Sequence, residues 1–159
     1  MQRNSEAETE AFLKDIEQRR GGSISYRTFS TFYADSNHKI CDYGVFFYQV
    51  NDEFWFEDFE HEPSFLGFRI RIRRDEQKYE KFESGFKPQD VESVRTVTKK
   101  AARSYACGRI DYSRLKGAIV LRQLLSEVVT EIRLKDGRVM FFQFMDKTVI
   151  NKIKDIQGV

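Results

Sequence analysis

Apolar and polar residues alternate with a period of two along most of this chain, and the spacing becomes helical only towards its two ends. Ile24, Tyr26 and Thr28 alternate with Ser25, Arg27 and Phe29, which predicts a first strand ending near Tyr33, followed by the polar loop Asp35-Ser36-Asn37-His38. Residues 44–50 and 54–59 read as aromatic-rich strands joined at Asn51-Asp52, residue types suited to a hairpin turn. After Pro63-Ser64, residues 65–74 show the most regular alternation: Leu66, Phe68, Ile70 and Ile72 on one face, Arg69, Arg71 and Arg73 on the other. That pattern predicts one strand with a core face and a basic ladder.

Residues 75–85 are charged and are expected to add a strand through Tyr79 and Phe82, after which Gly85-Phe86-Lys87-Pro88 turns the chain. Val91, Val94 and Val97 place the next strand over residues 90–98. Residues 99–115 follow no single period, and residues 121–129 fit either a helix or a strand. Residues 128–156 read as a hairpin and a short helix. Ile132 and Leu134 alternate with charged neighbours, Lys135-Asp136-Gly137 supplies the turn, and residues 139–144 return. Asp146 then stands as an N-cap before Val149, Ile150, Ile153 and Ile156 at helical spacing. At the other end, Ser5 and Glu8 form a capping-box pattern, Phe12, Leu13 and Ile16 give an apolar stripe, and Gly21-Gly22 follow Arg19 and Arg20 as a stop.

A chain of 159 residues suits one core, so residues 1–22 are expected to form a helical appendage on a single domain spanning 23–159. The 14% aromatic content suits well-filled sheet faces. A net charge of +2, from 27 basic and 25 acidic residues, speaks against nucleic acid as a partner and leaves any basic function to a local patch. Cys41 and Cys107 stand in no metal or redox spacing and read as free thiols of a reducing cytoplasm. The first ten residues carry no apolar signal segment, and no apolar run reaches the roughly 20 residues of a membrane span, so a cytoplasmic protein is expected.

Motifs for chemistry are sparse. His38 and His61 sit in polar stretches outside any metal pattern, and neither cysteine has an elbow or redox context. The acidic residues Glu53, Glu57, Asp58, Glu60 and Glu62 lack calcium-loop spacing and read as a solvated edge. No phosphate-cradling glycine loop is present. Hence no enzyme activity, cofactor, metal or small-molecule substrate is expected. The feature above background is basic: Arg69, Arg71 and Arg73 on one face, with Arg74 just beyond, helped by Lys99, Lys100 and Arg103. Arginines about 7 Å apart repel unless carboxylates or an anionic ligand neutralise them. The ladder therefore reads as a salt-bridged face or as a site for a phospholipid headgroup or nucleic acid. Arg69 and Arg73 match the first half of the PilZ signature, but nothing downstream supplies the second.

The order of elements, and three stretches in particular, resemble the pleckstrin-homology-like (PH-like) superfold, especially its GRAM-like and bacterial members. The stretches are residues 44–56, the proline-entered strand Phe86-Lys87-Pro88-Gln89-Asp90-Val91-Glu92-Ser93-Val94, and the final hairpin over residues 130–144. The likeness covers roughly residues 23–156, with residues 99–125 as an elaboration. It implies a mostly β, partly open antiparallel barrel with a C-terminal capping helix, to which the N-terminal helix read from residues 1–22 is added. It also implies a binding or scaffolding module without catalysis, acting through proteins, peptides or membrane surfaces. The family's phosphoinositide pattern across the first two strands is broken here: Arg27 and Lys39 are present, but Ile40-Cys41 follow. The leading expectation is docking of a protein partner or self-association, and the alternative is an anionic ligand at a surface peripheral to a membrane.

Overall fold

The computed structural model describes residues 2–37, 40–58, 64–65, 68–69, 81–119, 123 and 125–157. Helix α1 (Gln2–Arg20) leads into the strands β1 (Ile24–Asp35), β2 (Ile40–Val50) and β3 (Glu53–Asp58). The pair β4 (Ser64–Phe65) and β5 (Phe68–Arg69) stands apart as its own two-stranded sheet. Then come β6 (Glu83–Phe86), a 3-10 turn (Pro88–Asp90), β7 (Val91–Thr98), α2 (Lys99–Ala106), a second 3-10 turn (Tyr112–Arg114), β8 (Val128–Leu134), β9 (Val139–Phe144) and α3 (Thr148–Gln157).

Seven strands form one antiparallel sheet in the order β6-β3-β2-β1-β9-β8-β7. The long β1 is its centre, pairing with β2 on one side and β9 on the other. Phe86 of one edge strand and Val91 of the other belong to a single apolar cluster with Phe32, Phe47, Phe56, Phe142 and Phe144. Both edges can share one interior only because the sheet curls into a half-barrel. Val149 and Ile153 of α3 join the same cluster, so α3 closes the concave side. Rings meet there at centroid distances such as 4.9 Å for Phe56–Phe142 and 5.1 Å for Phe47–Phe144. Each buried ring contributes about 1.5–3 kcal/mol.

The convex face is covered as well, in two places. Phe46, Tyr48 and Val50 of β2 pack beneath Phe12, Leu13 and Ile16 of α1. Val97, Val129, Val139 and Phe141 pack beneath Ala102 and Ala106 of α2. This double coverage explains why β2 is buried at six successive positions, from Val45 to Val50, rather than at alternate ones. Between the two patches, β1 shifts register from Phe32 to Ala34. The bulge sends both Tyr33 and Ala34 to the α2 patch while Phe32 stays inside.

The mostly β antiparallel class, with helices at both ends, is as the sequence predicts. Several local expectations need correction. Helix α1 begins by Gln2, so Ser5 lies within it rather than capping it; Arg3 and Asn4 carry nothing that stops a helix. Phe65 pairs with Phe68, so the strand expected over residues 65–74 is interrupted there; residues 70–74, with most of the ladder, lie outside the described residues. Gly67 interrupts an alternation that short segments imitate easily. Gly85 and Phe86 belong to β6 rather than to a turn, and the reversal falls on the 3-10 turn after Lys87. The acidic stretch is not a solvated edge throughout: Glu57 is wholly buried and Asp58 nearly so, because α1 and residues 81–83 cover them.

Candidate functional site

Helix α2 forms because Thr98 caps it and alanines fill its inner face. Thr98 Oγ1 accepts from the Ala101 amide at 3.2 Å, and Ala102 and Ala106, one turn apart, are fully buried. That orientation leaves Lys100 and Arg103 exposed. Beside them opens a groove of about 940 Å³, whose walls include Tyr33, Ile40, Asp42, Thr98, Leu125 and Glu127. Lys99 also lines it: Nζ lies 5.1 Å from the Tyr33 ring centre and 3.5 Å from Glu127 Oε2. The Lys99 backbone amide donates to Glu127 O at 2.9 Å, which ties the start of α2 to the chain entering β8.

The groove combines charge with apolar surface. Lys100 and Arg103 form no ion pair with another described residue, whereas Lys99 is held by Glu127. Ile40 is 37% exposed and Leu125 78% exposed, so two aliphatic side chains border the two unpaired cations. Burial pushes the Tyr33 phenol above its ordinary pKa, against the opposing pull of Lys99 and Arg103. A smaller recess of about 500 Å³ lies between α1 and β1, lined by Leu13, Glu17, Ile24, Ser25, Tyr26 and Arg27. Glu17 is engaged there, accepting from the Ile24 amide at 2.9 Å.

Of the basic residues singled out from sequence, the structure brings Lys99, Lys100 and Arg103 into one groove. Arg69 belongs to the separate β4–β5 pair, with its side chain outside the described residues, and Arg71, Arg73 and Arg74 lie outside them altogether. His38 and His61 also lie outside. Cys41 and Cys107 are free thiols.

The charged assembly that sequence did not reveal joins α1 to the sheet. Arg19 Nη2 reaches the buried Glu57 Oε1 at 3.1 Å, and Nη1 reaches Glu83 at 3.3 Å, while Lys81 Nζ lies 3.4 Å from Glu57 Oε2. Arg20 lies 3.7 Å above the Trp55 ring and donates to Tyr48 Oη at 3.1 Å. Its Nη2 forms an ion pair with Glu83 Oε1 at 2.8 Å. The hydrogen bond to Glu57 holds the Arg19 pKa well above the usual guanidinium value. Burial works to raise Glu83, but its contacts with Arg20 outweigh that and hold it below the usual carboxylate value. Arg19 Nε also pairs with Asp15 at 2.8 Å, so three cations meet three carboxylates; engaged in docking α1, these groups anchor the fold rather than await a ligand.

A second buried carboxylate, Glu131, lies under the opposite half of the convex face. Arg95 Nε donates to it at 2.8 Å and Tyr112 Oη at 2.6 Å. Arg95 also donates to Leu115 O at 2.8 Å, which straps the segment after α2 onto β7. Burial, reinforced by the hydrogen bond to Glu131, pushes the Tyr112 phenol up. Among the described residues no group of three histidine, cysteine or acidic side chains is placed to hold a metal, and no helix is long and apolar enough to cross a membrane. No protein-family model, curated protein or solved structure significantly matches this chain.

Proposed function

We propose that this chain is a non-catalytic binding module of the PH-like type, which docks a protein partner in the groove beside α2. The strand order, centred on β1 and closed by a C-terminal helix, supports the PH-like reading and with it a binding role. The observation that carries the docking site is the juxtaposition of Lys100 and Arg103, unpaired among the described residues, with the exposed Ile40 and Leu125. Cations beside aliphatic surface suit a segment bearing both carboxylates and apolar side chains, where charge steers and fixes register while apolar contact adds affinity.

The test is selection from a displayed library of random peptides on the full chain, with the Lys100→Glu/Arg103→Glu variant as counter-target. Enrichment of acidic, apolar-containing peptides that fail to bind the variant supports the reading, and absence of any groove-dependent peptide overturns it. The anionic-ligand reading, made on Arg69 to Arg74 with Lys99, Lys100 and Arg103, is tested at the groove end by vesicles rich in phosphatidylserine. Salt-sensitive vesicle binding lost in the same variant, with no peptide selected, moves the assignment to a lipid headgroup.

A further inference from the structure

We propose that the groove's occupant is the N-terminal half of α1 from a second copy of this chain; this inference rests on the docking role given to the groove above. The apolar stripe of α1 ends at Phe12, and residues 6–11 are all exposed. Within this half of the helix, Glu6, Glu8 and Glu10 form no ion pair with another described residue. At about 100° per residue, with Ile16 marking the packed side, Ala7 and Ala11 face away from the sheet and Glu8 and Glu10 flank them. A polar half-helix of this length is marginal on its own and gains order from any surface that covers it.

The groove matches that half-helix in sign and texture. Lys100 and Arg103 supply unpaired cations for Glu8 and Glu10, while Ile40 and Leu125 supply apolar surface for Ala7 and Ala11, whose small side chains let a helix approach closely. The opposing acids in the groove are Asp42 and Glu127, and Glu127 is already engaged by Lys99. Because the two patches differ, copies either exchange helices reciprocally about a two-fold axis or join head to tail, extending with concentration.

The experiment is a charge swap read by sedimentation and light scattering of the full chain across concentration, at low and high salt. The wild type is expected to exceed monomer mass at low salt. Glu8→Lys/Glu10→Lys and Lys100→Glu/Arg103→Glu should each weaken association about tenfold or more. The fourfold variant should recover to within about threefold of wild type, since opposite signs again face each other. All the altered side chains are exposed, and circular dichroism checks that each variant keeps the wild-type fold. Failure of the fourfold variant to recover overturns the pairing. A chain that stays monomeric throughout yet still binds groove-dependent peptides overturns self-association and leaves the docking role intact. A monomer that binds no such peptide overturns both.

Discussion

Gly85 stands opposite Trp55 in the β3–β6 pair, so close that a Cβ built on it would meet the indole at 2.6 Å. The glycine is required here for room. Its absent side chain lets the indole lie across β6, and Arg20 then covers that ring at 3.7 Å. One missing methyl thus connects an edge strand to the docking of α1. Gly85→Ala should cost about 1–3 kcal/mol, because the indole and the guanidinium above it must both shift. Urea unfolding followed by the fluorescence of the chain's single tryptophan reads both effects. Unchanged stability together with an unchanged emission spectrum would count against this account.

Arg19 and Glu57 form the other half of that docking, and the magnitudes decide which partner matters. Glu57 is fully buried, whereas Glu83 is 36% exposed at its side chain, so losing Arg19 harms Glu57 far more than Glu83. Arg19→Ala should cost about 2–3 kcal/mol, somewhat less than a fully desolvated pair because Lys81 still approaches Glu57 and Arg19 itself is partly solvated. Glu83→Ala should cost under about 1 kcal/mol. A double-mutant cycle between positions 19 and 57 should give a coupling of at least about 1 kcal/mol. Coupling near zero would mean that the apolar contacts of Phe12, Leu13 and Ile16 hold α1 alone.

What the sequence made legible was local. Asn51 and Asp52 read as a hairpin turn and both adopt positive φ, +50° and +60°. Gly137 in the predicted turn has φ +91°, and Asp146 accepts from the Thr148 amide at 2.9 Å at the start of α3. Each of these needs only neighbours a few residues away. Helix α2 had a local signal too, a cap residue at Thr98 before Ala101, Ala102 and Ala106, obscured by the lysines and arginine among them. Its recognition would have put Lys99, Lys100 and Arg103 on adjoining positions of one helix. The single strand expected over residues 65–74 is broken where Phe65 pairs with Phe68, while Arg71, Arg73 and Arg74 of the ladder lie outside the described residues. Burial of Glu57 was out of reach because it depends on where α1 lands, 38 residues away in sequence from Arg19. The groove likewise needs β1, β2, α2 and the entry to β8 together, which periodicity does not encode.

Acid should weaken the anchorage of α1. Contacts with Arg20 outweigh burial and hold the folded-state pKa of Glu83 below its ordinary value of 4.5. In acid the unfolded chain therefore takes up a proton that the folded chain resists. The stabilisation is complete above the unfolded value and is lost as pH falls through the lower folded one. Glu83→Gln should lose stability at neutral pH and show a flatter decline from neutral to about pH 3 than wild type. Equal slopes for the two proteins would contradict this.

At the alkaline end, Tyr26 behaves in the opposite sense. Burial, with help from its hydrogen bond to Asp146 at 2.8 Å, pushes the phenol from 10.0 up to about 12. The folded chain keeps this proton where the unfolded chain has lost it. Stability is therefore complete below the unfolded value and declines as pH rises from about 10 to about 12. Tyr33, Tyr48, Tyr105 and Tyr112 are also raised, so the contribution of Tyr26 is read as a difference. Tyr26→Phe should cost about 1 kcal/mol at neutral pH through the lost hydrogen bond. It should also lose less of its remaining stability over the alkaline window than wild type. An identical alkaline decline would separate Tyr26 from the titration.

The groove depends on one cap. Thr98 Oγ1 holds the Ala101 amide at 3.2 Å, and the three basic residues that follow are placed by the turn this bond starts. Thr98→Ala should cost about 1 kcal/mol, and Thr98→Ser should restore most of it, because serine offers the same acceptor. The loss should be concentrated in α2, where amide exchange over residues 101–106 should quicken more than in β8 or β9, which are held within the sheet. Lys100→Glu/Arg103→Glu, by contrast, alters exposed side chains and should leave exchange in α2 nearly unchanged while abolishing groove-dependent binding. The two variants thus separate placement of the charges from the charges themselves. A Thr98→Ala protein that exchanges like wild type but binds poorly would put the hydroxyl in direct contact with the partner instead of in the cap.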